Sequence, residues 1–268
     1  MNKRKGVVPL PPPPRRWWGV LTNATKAGFG LALVLSTAAA TAWGGYRLAL
    51  TSPRFSVQHV HVETSQRYDD KELAQRAGVA FGSSLLSLDL RAAEQRLLSD
   101  PWIESVRITR KLPHTLRVQL REHEAAALAS LDGELFLVDA KGEPFKAWQA
   151  SDPHDLPVLT GVTLEALAKD RPGAVTRLTT ALSVLEHYGR LPVSRVQRAQ
   201  EVQLAPDGAV VLVVGSRGVS LHLGQGPWPK KLLMVAEVLR QFERHQELPG
   251  VVFLDNELHP ERVVVRMR

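Results

Sequence analysis

The sequence predicts an α+β protein with one N-terminal transmembrane helix, a β-α-α-β-β unit, and a mixed antiparallel β domain carrying two helices. Three observations lead there. An uncharged, largely apolar run occupies residues 27–46. Two capped helical stretches are enclosed by alternating strands within residues 54–125. The remainder, residues 126–268, is a series of short Val- and Leu-rich runs separated by turn signals such as Asp207-Gly208 and Arg217-Gly218.

Residues 27–46 are twenty consecutive positions without a charge. At about 1.5 Å per residue, a helix of that length spans about 30 Å, the hydrocarbon thickness of a bilayer. Trp17, Trp18, Trp43 and Tyr46 flank the run, where aromatic rings favour the headgroup level. The expected helix is residues 27–50. Lys3, Arg4, Lys5, Arg15, Arg16 and Lys26 place six positive charges and no acid before it. By the positive-inside rule the N-terminus is then cytoplasmic and the bulk of the chain extracytoplasmic. Ala38-Ala39-Ala40 and Ala40-Thr41-Ala42 look like signal-peptide cleavage sites, but the apolar run is longer than a signal core and the basic leader is long. Residues 1–26, with Pro9 and the run Pro11 to Pro14, read as a disordered basic tail.

The net charge of +7 comes from the residues before Phe55. Of 34 basic residues eight precede Phe55, leaving 26 against 27 acidic ones. A near-neutral domain has no basic face for nucleic acid. The absence of cysteine excludes disulfides, Cys zinc sites and thiol catalysis.

Between residues 54 and 125, Phe55 to Glu63 reads as a strand whose apolar positions change parity, which suggests a bulge. Asp69, with Glu72 three residues on, is a capping-box start, and Gly78 ends that helix. Asp89 caps a second helix with Leu90, Ala93 and Leu97 on one face, and Pro101 ends it. Trp102 opens the next strand, where its ring is expected under both helices. Val106 and Ile108 face inward while Ser105, Arg107 and Thr109 face out. After a turn over residues 111–114, Leu116, Val118 and Leu120 face inward.

In residues 126–268, Leu135 to Val138 pairs with the segment after Lys141-Gly142. Residues 172–188 form a helix with Val175, Leu178, Leu182 and Leu185 on its stripe. Strands follow at residues 195–204, 209–215 and 218–223. A second helix over residues 228–245 buries Leu232, Val235, Leu239 and Phe242. Strands at residues 251–254 and 262–267 close the chain.

No constellation for chemistry emerges. His59 and His61 share one side of a strand but lack a third metal ligand. Gly224-Gln225-Gly226 precedes a helix without the further glycine and βαβ frame of a dinucleotide site. Gly82-Ser83-Ser84 does not satisfy the nucleophile-elbow pattern. Asp69-Asp70 reads as a cap, Glu122-His123-Glu124 as a solvated strand end, and Asp255 as a turn residue. The reading is a non-enzyme without cofactor or metal.

The order of several motifs resembles the bacterial FtsQ/DivIB cell-division family. Gly82 to Ala127 carries Leu85-Leu86-Ser87-Leu88-Asp89, Asp100-Pro101-Trp102-Ile103, Val106-Arg107-Ile108-Thr109-Arg110-Lys111-Leu112-Pro113, Leu116-Arg117-Val118 and Arg121-Glu122, similar to that family's POTRA module. Leu137-Val138-Asp139-Ala140-Lys141-Gly142, Leu156-Pro157-Val158-Leu159-Thr160-Gly161, Lys231-Leu232 and Phe253-Leu254-Asp255 follow in the family's order. The resemblance implies a single-pass inner-membrane scaffold at the division septum. It implies FtsB-like and FtsL-like partners on the β domain, by strand addition at the last strands, and recruitment by upstream division proteins through the POTRA module and the transmembrane helix. An envelope assembly or secretion factor built on a POTRA domain, and an anchored envelope hydrolase, are the alternative functions.

Two candidate surfaces follow. The last strand, with Val263, Val264 and Val265, is an expected sheet edge, and an unpaired edge is a template for another strand. With the resemblance it defines a partner site of Glu257, Leu258, Pro260, Glu261, Val263, Val264 and Val265. Arg107, Thr109 and Arg110 form a possible recruitment face on the POTRA module.

Overall fold

A computed structural model describes residues 18–63, 65, 67–244, 249–256, 259 and 262–267; the side chains of residues 18–31, 243 and 244 are outside that description. The first helix, α1 (Trp18–Thr51), starts earlier than the expected residue 27. Nothing between Pro14 and the apolar run breaks a helix, so helical backbone extends into the end of the expected tail. The rest of that tail lies outside the described residues. The apolar run begins among residues whose side chains are not described, and among the described residues no helix is long and apolar enough to cross a membrane.

The first folded unit comprises β1 (His59–Glu63), α2 (Asp70–Arg76), α3 (Leu90–Leu98), β2 (Ile103–Lys111) and β3 (Thr115–Glu122). This is the expected β-α-α-β-β order. The sheet runs β1-β3-β2, with β1 parallel and β2 antiparallel to β3. Both helix starts are capped as the sequence indicates: Asp69 accepts from Glu72 N at 2.6 Å and Asp89 from Ala92 N at 3.1 Å. Val60, Ile108, Leu116, Val118 and Leu120 form the sheet side of the core, and Leu73, Ala74, Ala93 and Leu97 the helix side. The expected strand at residues 55–63 is shorter. Phe55 belongs to a 3-10 turn (Pro53–Phe55), and Ser56 only bridges to Ser84. The parity change reflects where the ladder starts, not a bulge within it.

The second unit is one nine-stranded mixed sheet. Its strands are β4 (Ala125–Leu131), β5 (Glu134–Asp139), β6 (Pro144–Ala147), β7 (Val158–Thr160), β8 (Ala199–Leu204), β9 (Val210–Val214), β10 (Val219–Gly224), β11 (Val251–Phe253) and β12 (Val264–Arg266). Across the sheet the order is β12-β11-β10-β9-β8-β7-β4-β5-β6. The helices are α4 (Leu164–Lys169), α5 (Arg171–Gly189) and α6 (Trp228–Arg244). Three points depart from the sequence reading. The pairs β4–β7, β7–β8 and β10–β11 are parallel, so the sheet is mixed in direction rather than antiparallel throughout. Among the described residues this unit has three helices; α4 is one short turn element ended by Asp170, whose carboxylate also caps α5 through Gly173 N. The α5 stripe is rotated: Ala174, Leu178, Ala181, Val184 and Tyr188 are buried, and Leu182 and Leu185 only partly. Small residues on this face let the helix lie close to the sheet, which the larger leucines disguised in the pattern.

The two sheets share a core. Leu128 and Leu137 of the second sheet belong to the first unit's cluster, and Phe145, Trp148, Leu156 and Val158 pack against it. The connection is direct, since β3 ends at Glu122 and β4 starts at Ala125.

Candidate partner-binding surface

The end of the large sheet is built from three strands. β10 and β11 run parallel across the α6 crossover, and β11 pairs antiparallel with β12. Val252 sits opposite Val265, and Phe253 opposite Val264. The period of two then separates the faces. Val252 is fully buried, and Val263 and Val265 pack against the core from the rim. Val264 is 56% exposed on the other face. It continues a row across the sheet, because Phe253 stands opposite both His222 of β10 and Val264. The His222 and Phe253 rings are in contact, with centroids 4.7 Å apart. His222 and Phe253 are surface components that the sequence reading missed. The alternation Val251-Val252-Phe253 was the signal that could have found them.

The strand ends are held firmly on one side. Gly250 N donates to Arg266 O at 3.0 Å, and Leu254 N to His222 O at 2.8 Å. Lys231 of α6 donates from Nζ to Leu223 O and Gln225 O, both at 2.6 Å. Gly224 has φ +62°, and a Cβ there would lie 2.9 Å from Asp255 Cβ, so the turn into α6 and the end of β11 require glycine. Asp255 thus lines a tight backbone approach. Of the loop beyond, Asn256 Oδ1 accepts from His259 N at 3.0 Å, and Arg262 N donates to His259 O at 2.9 Å. Glu257, Leu258, Pro260 and Glu261 lie outside the described residues.

On two of the other sheet edges a carboxylate caps one backbone N–H. On β1, Val62 N donates to the Asp70 carboxylate at 3.0 Å; on β2, Ile108 N donates to the Glu94 carboxylate at 2.7 Å. β6 begins with a proline, which has no N–H to offer. Its Lys146 is paired with Asp152, which also accepts from Gln149 N at 2.9 Å.

On the β2 face, Arg107 and Thr109 are exposed. Arg110 is different. Its guanidinium donates to Leu85 O at 2.8 Å and Leu88 O at 2.5 Å, which pins the loop between α2 and α3 to β2. Arg110 therefore belongs to the fold's internal bonding as well as to the expected face.

Trp102 reaches further than expected. It is buried in the cluster that holds Leu73 and Ala74 of α2 and Ala93 and Leu97 of α3, its ring also meets Phe145 of β6, and Arg67 covers it at 3.6 Å. The ring fills the junction between the two sheets. Around it, His123 stacks on Phe145 at 4.5 Å with its Nδ1 3.3 Å from Asp139, and Glu104 pairs with Lys141. Lys141 holds the Glu104 carboxyl below the usual range. Burial and the hydrogen bond to Asp100 push the Tyr68 hydroxyl pKa up, so this phenol stays a donor. Among the described residues no group of three or more His, Asp or Glu is placed to hold a metal ion.

Comparison with known proteins agrees with this architecture. Residues 55–123 match the family model described as POTRA domain, FtsQ-type, and residues 127–255 match the model for the C-terminal part of cell division protein FtsQ/DivIB. A cell division protein FtsQ from Myxococcus fulvus is 35% identical over 228 residues, covering 84% of this chain and 79% of that protein. One from Anaeromyxobacter is 35% identical over 92% of this chain and 83% of its own length, and one from Geobacter 28% over 93% and 89%. The chain belongs to the FtsQ/DivIB family of cell division proteins.

Proposed function

We propose that the protein is a non-catalytic, membrane-anchored scaffold of the division machinery that captures a partner strand on the free edge of β12. The observation that carries this reading is the state of the sheet edges. A carboxylate caps one N–H on each of β1 and β2, and β6 starts with a proline, whereas β12 pairs only with β11 among the described residues. Strand addition draws affinity from main-chain hydrogen bonds and specificity from alternate side chains. Here the alternate side chains are Val264 and Arg266, with Phe253 and His222 extending the apolar row. FtsB-like and FtsL-like segments fit as partners through the resemblance, and Arg262 and Arg266 favour an acidic one.

Residues 27–46 are uncharged, and Leu33, Val34, Leu35, Trp43, Tyr46 and Leu48 of α1 are exposed. A helix that exposes these apolar side chains supports an anchor in the inner membrane, with the N-terminus cytoplasmic and the two sheets outside. Arg107 and Thr109 remain a surface for recruitment by upstream division proteins. The test is capture of an FtsB-like protein by the full chain in membranes. Val264→Pro removes an N–H from the β11–β12 ladder and so loosens the docking strand, and Glu257→Lys reverses a loop charge. Loss of capture by folded variants supports the reading, and wild-type capture by both overturns the site.

A further inference from the structure

Residues 52–58 connect α1 to β1, and two loops of the first unit are bonded to this short segment, one on each side. On one side Leu85 N donates to Phe55 O at 2.7 Å, Gly82 N to Val57 O at 2.8 Å and Val57 N to Ser83 O at 2.9 Å. On the other, Gln58 N donates to His114 O at 3.0 Å, and His59 stands opposite Thr115. Each loop presents one large apolar side chain to solvent: Phe81 is 50% exposed and Leu112 is 58% exposed. Residues 52–59, 80–88 and 109–115 contain Arg54, Arg110 and Lys111 and no Asp or Glu. Arg110 is committed to loop carbonyls, which leaves Arg54 and Lys111 exposed at this tip.

We propose that this tip is a second membrane contact, in which Phe81 and Leu112 enter the headgroup region and Arg54 and Lys111 meet anionic phospholipid headgroups. The proposal rests on α1 spanning the bilayer. Connectivity selects the occupant. Seven residues reach at most about 25 Å when fully extended, and bonding to both loops keeps the tip within that distance of the helix end. An apolar pair beside exposed cations matches a lipid interface with negative surface charge. The contact would fix the tilt of the first unit, which a single helix and a short connector leave free.

The chain has no cysteine, so single labels are clean. Phe81→Cys and Leu112→Cys each carry an environment-sensitive fluorophore. Leu98→Cys is the control, because Leu98 is 48% exposed at the end of α3, toward the opposite end of β2. The full chain is placed in vesicles of phosphatidylethanolamine and phosphatidylglycerol. Resistance to alkaline extraction reports the anchor separately. The expected result is a blue shift at positions 81 and 112 and quenching by nitroxide-bearing lipids, with neither at position 98. Adding Lys111→Glu, or replacing phosphatidylglycerol by phosphatidylcholine, should reduce the quenching. Water-like emission at all three positions in an extraction-resistant chain overturns the tip contact alone; quenching indifferent to both charge changes overturns its anionic part. A chain that is extracted refutes the anchor, and the tip contact with it.

Discussion

Trp102 and Phe145 meet edge to face across the junction of the two sheets, with ring centroids 5.3 Å apart and planes at 64°. Trp102 is the first residue after the proline that ends α3, and Phe145 belongs to the edge strand β6. One aromatic pair therefore joins the two units, with Arg67 over the outer face of the indole.

Trp102→Ala is expected to cost roughly 3–5 kcal/mol, the range for deleting a large buried aromatic. Because the cavity opens at the junction, both units should lose thermal stability. Phe145→Ala should have a smaller effect, since that ring is only partly buried. Calorimetry of both variants checks this; an unchanged midpoint for Trp102→Ala would contradict the packing.

A second prediction concerns pH. Glu104 is a carboxylate whose pKa is lowered in the folded state, chiefly by its hydrogen bond to Lys141. Such a group contributes stability above its unfolded pKa of about 4.3, and that contribution is lost as pH falls through the folded value. The pair is partly exposed, with side-chain accessibilities of 22% and 65%, so screening limits it to about 0.2–1 kcal/mol. Lys141→Met should lower the urea midpoint at pH 7 and leave it close to wild type at pH 3. Equal losses at both pH values would assign the effect to packing.

The β2 face separates into two roles. Arg110→Glu removes two charge-assisted bonds to Leu85 O and Leu88 O, expected to cost about 1.5–3 kcal/mol. Arg107→Glu touches no such bond and should stay within about 0.5 kcal/mol of wild type. Arg107→Glu is therefore the cleaner probe of midcell recruitment. Denaturant titrations together with imaging of a fluorescent fusion decide whether the face acts through Arg107.

Gly161→Ala should prevent folding of the second unit or leave it severely destabilised. Gly161 has φ +95°, and a Cβ would stand 1.9 Å from Leu204 O. The left-handed conformation alone costs an L-residue about 1–2 kcal/mol, and here the obstacle is backbone that cannot turn aside. Circular dichroism and soluble yield are the measurements; a cooperative wild-type transition would refute the close approach.

Much of this was legible in the chain. The first unit's order followed from two Asp caps and alternation in Val106 to Ile108 and Leu116 to Leu120. Leu137-Val138-Asp139-Ala140-Lys141-Gly142 proves to be a real turn device. Asp139 Oδ1 accepts from Lys141 N and Glu143 N, both at 2.9 Å, and Gly142 lies against α5 where a Cβ would be 2.9 Å from Val175 O. What escaped notice depended on distant partners. β4 reads Ala125-Ala126-Ala127-Leu128, a composition with weak β propensity, and becomes a strand because β5 and β7 flank it. The three-residue β7 is parallel to both its neighbours, and no local pattern announces a parallel pairing. For the proposed partner site, the strand itself was readable from Val263, Val264 and Val265. Its alignment with Phe253 and His222 was not, because that alignment is set by register across the α6 crossover.

β12 is three residues long and, among the described residues, is laddered on one side only. An element with so few bonds opens locally at a small fraction of the free energy that unfolds the sheet. Its amide hydrogens should therefore exchange with solvent quickly in the free protein. A strand laid on its outer edge would add a second row of bonds, so occupancy should register as slowed deuterium uptake at Val264, Val265 and Arg266, with a melting temperature that rises with partner concentration.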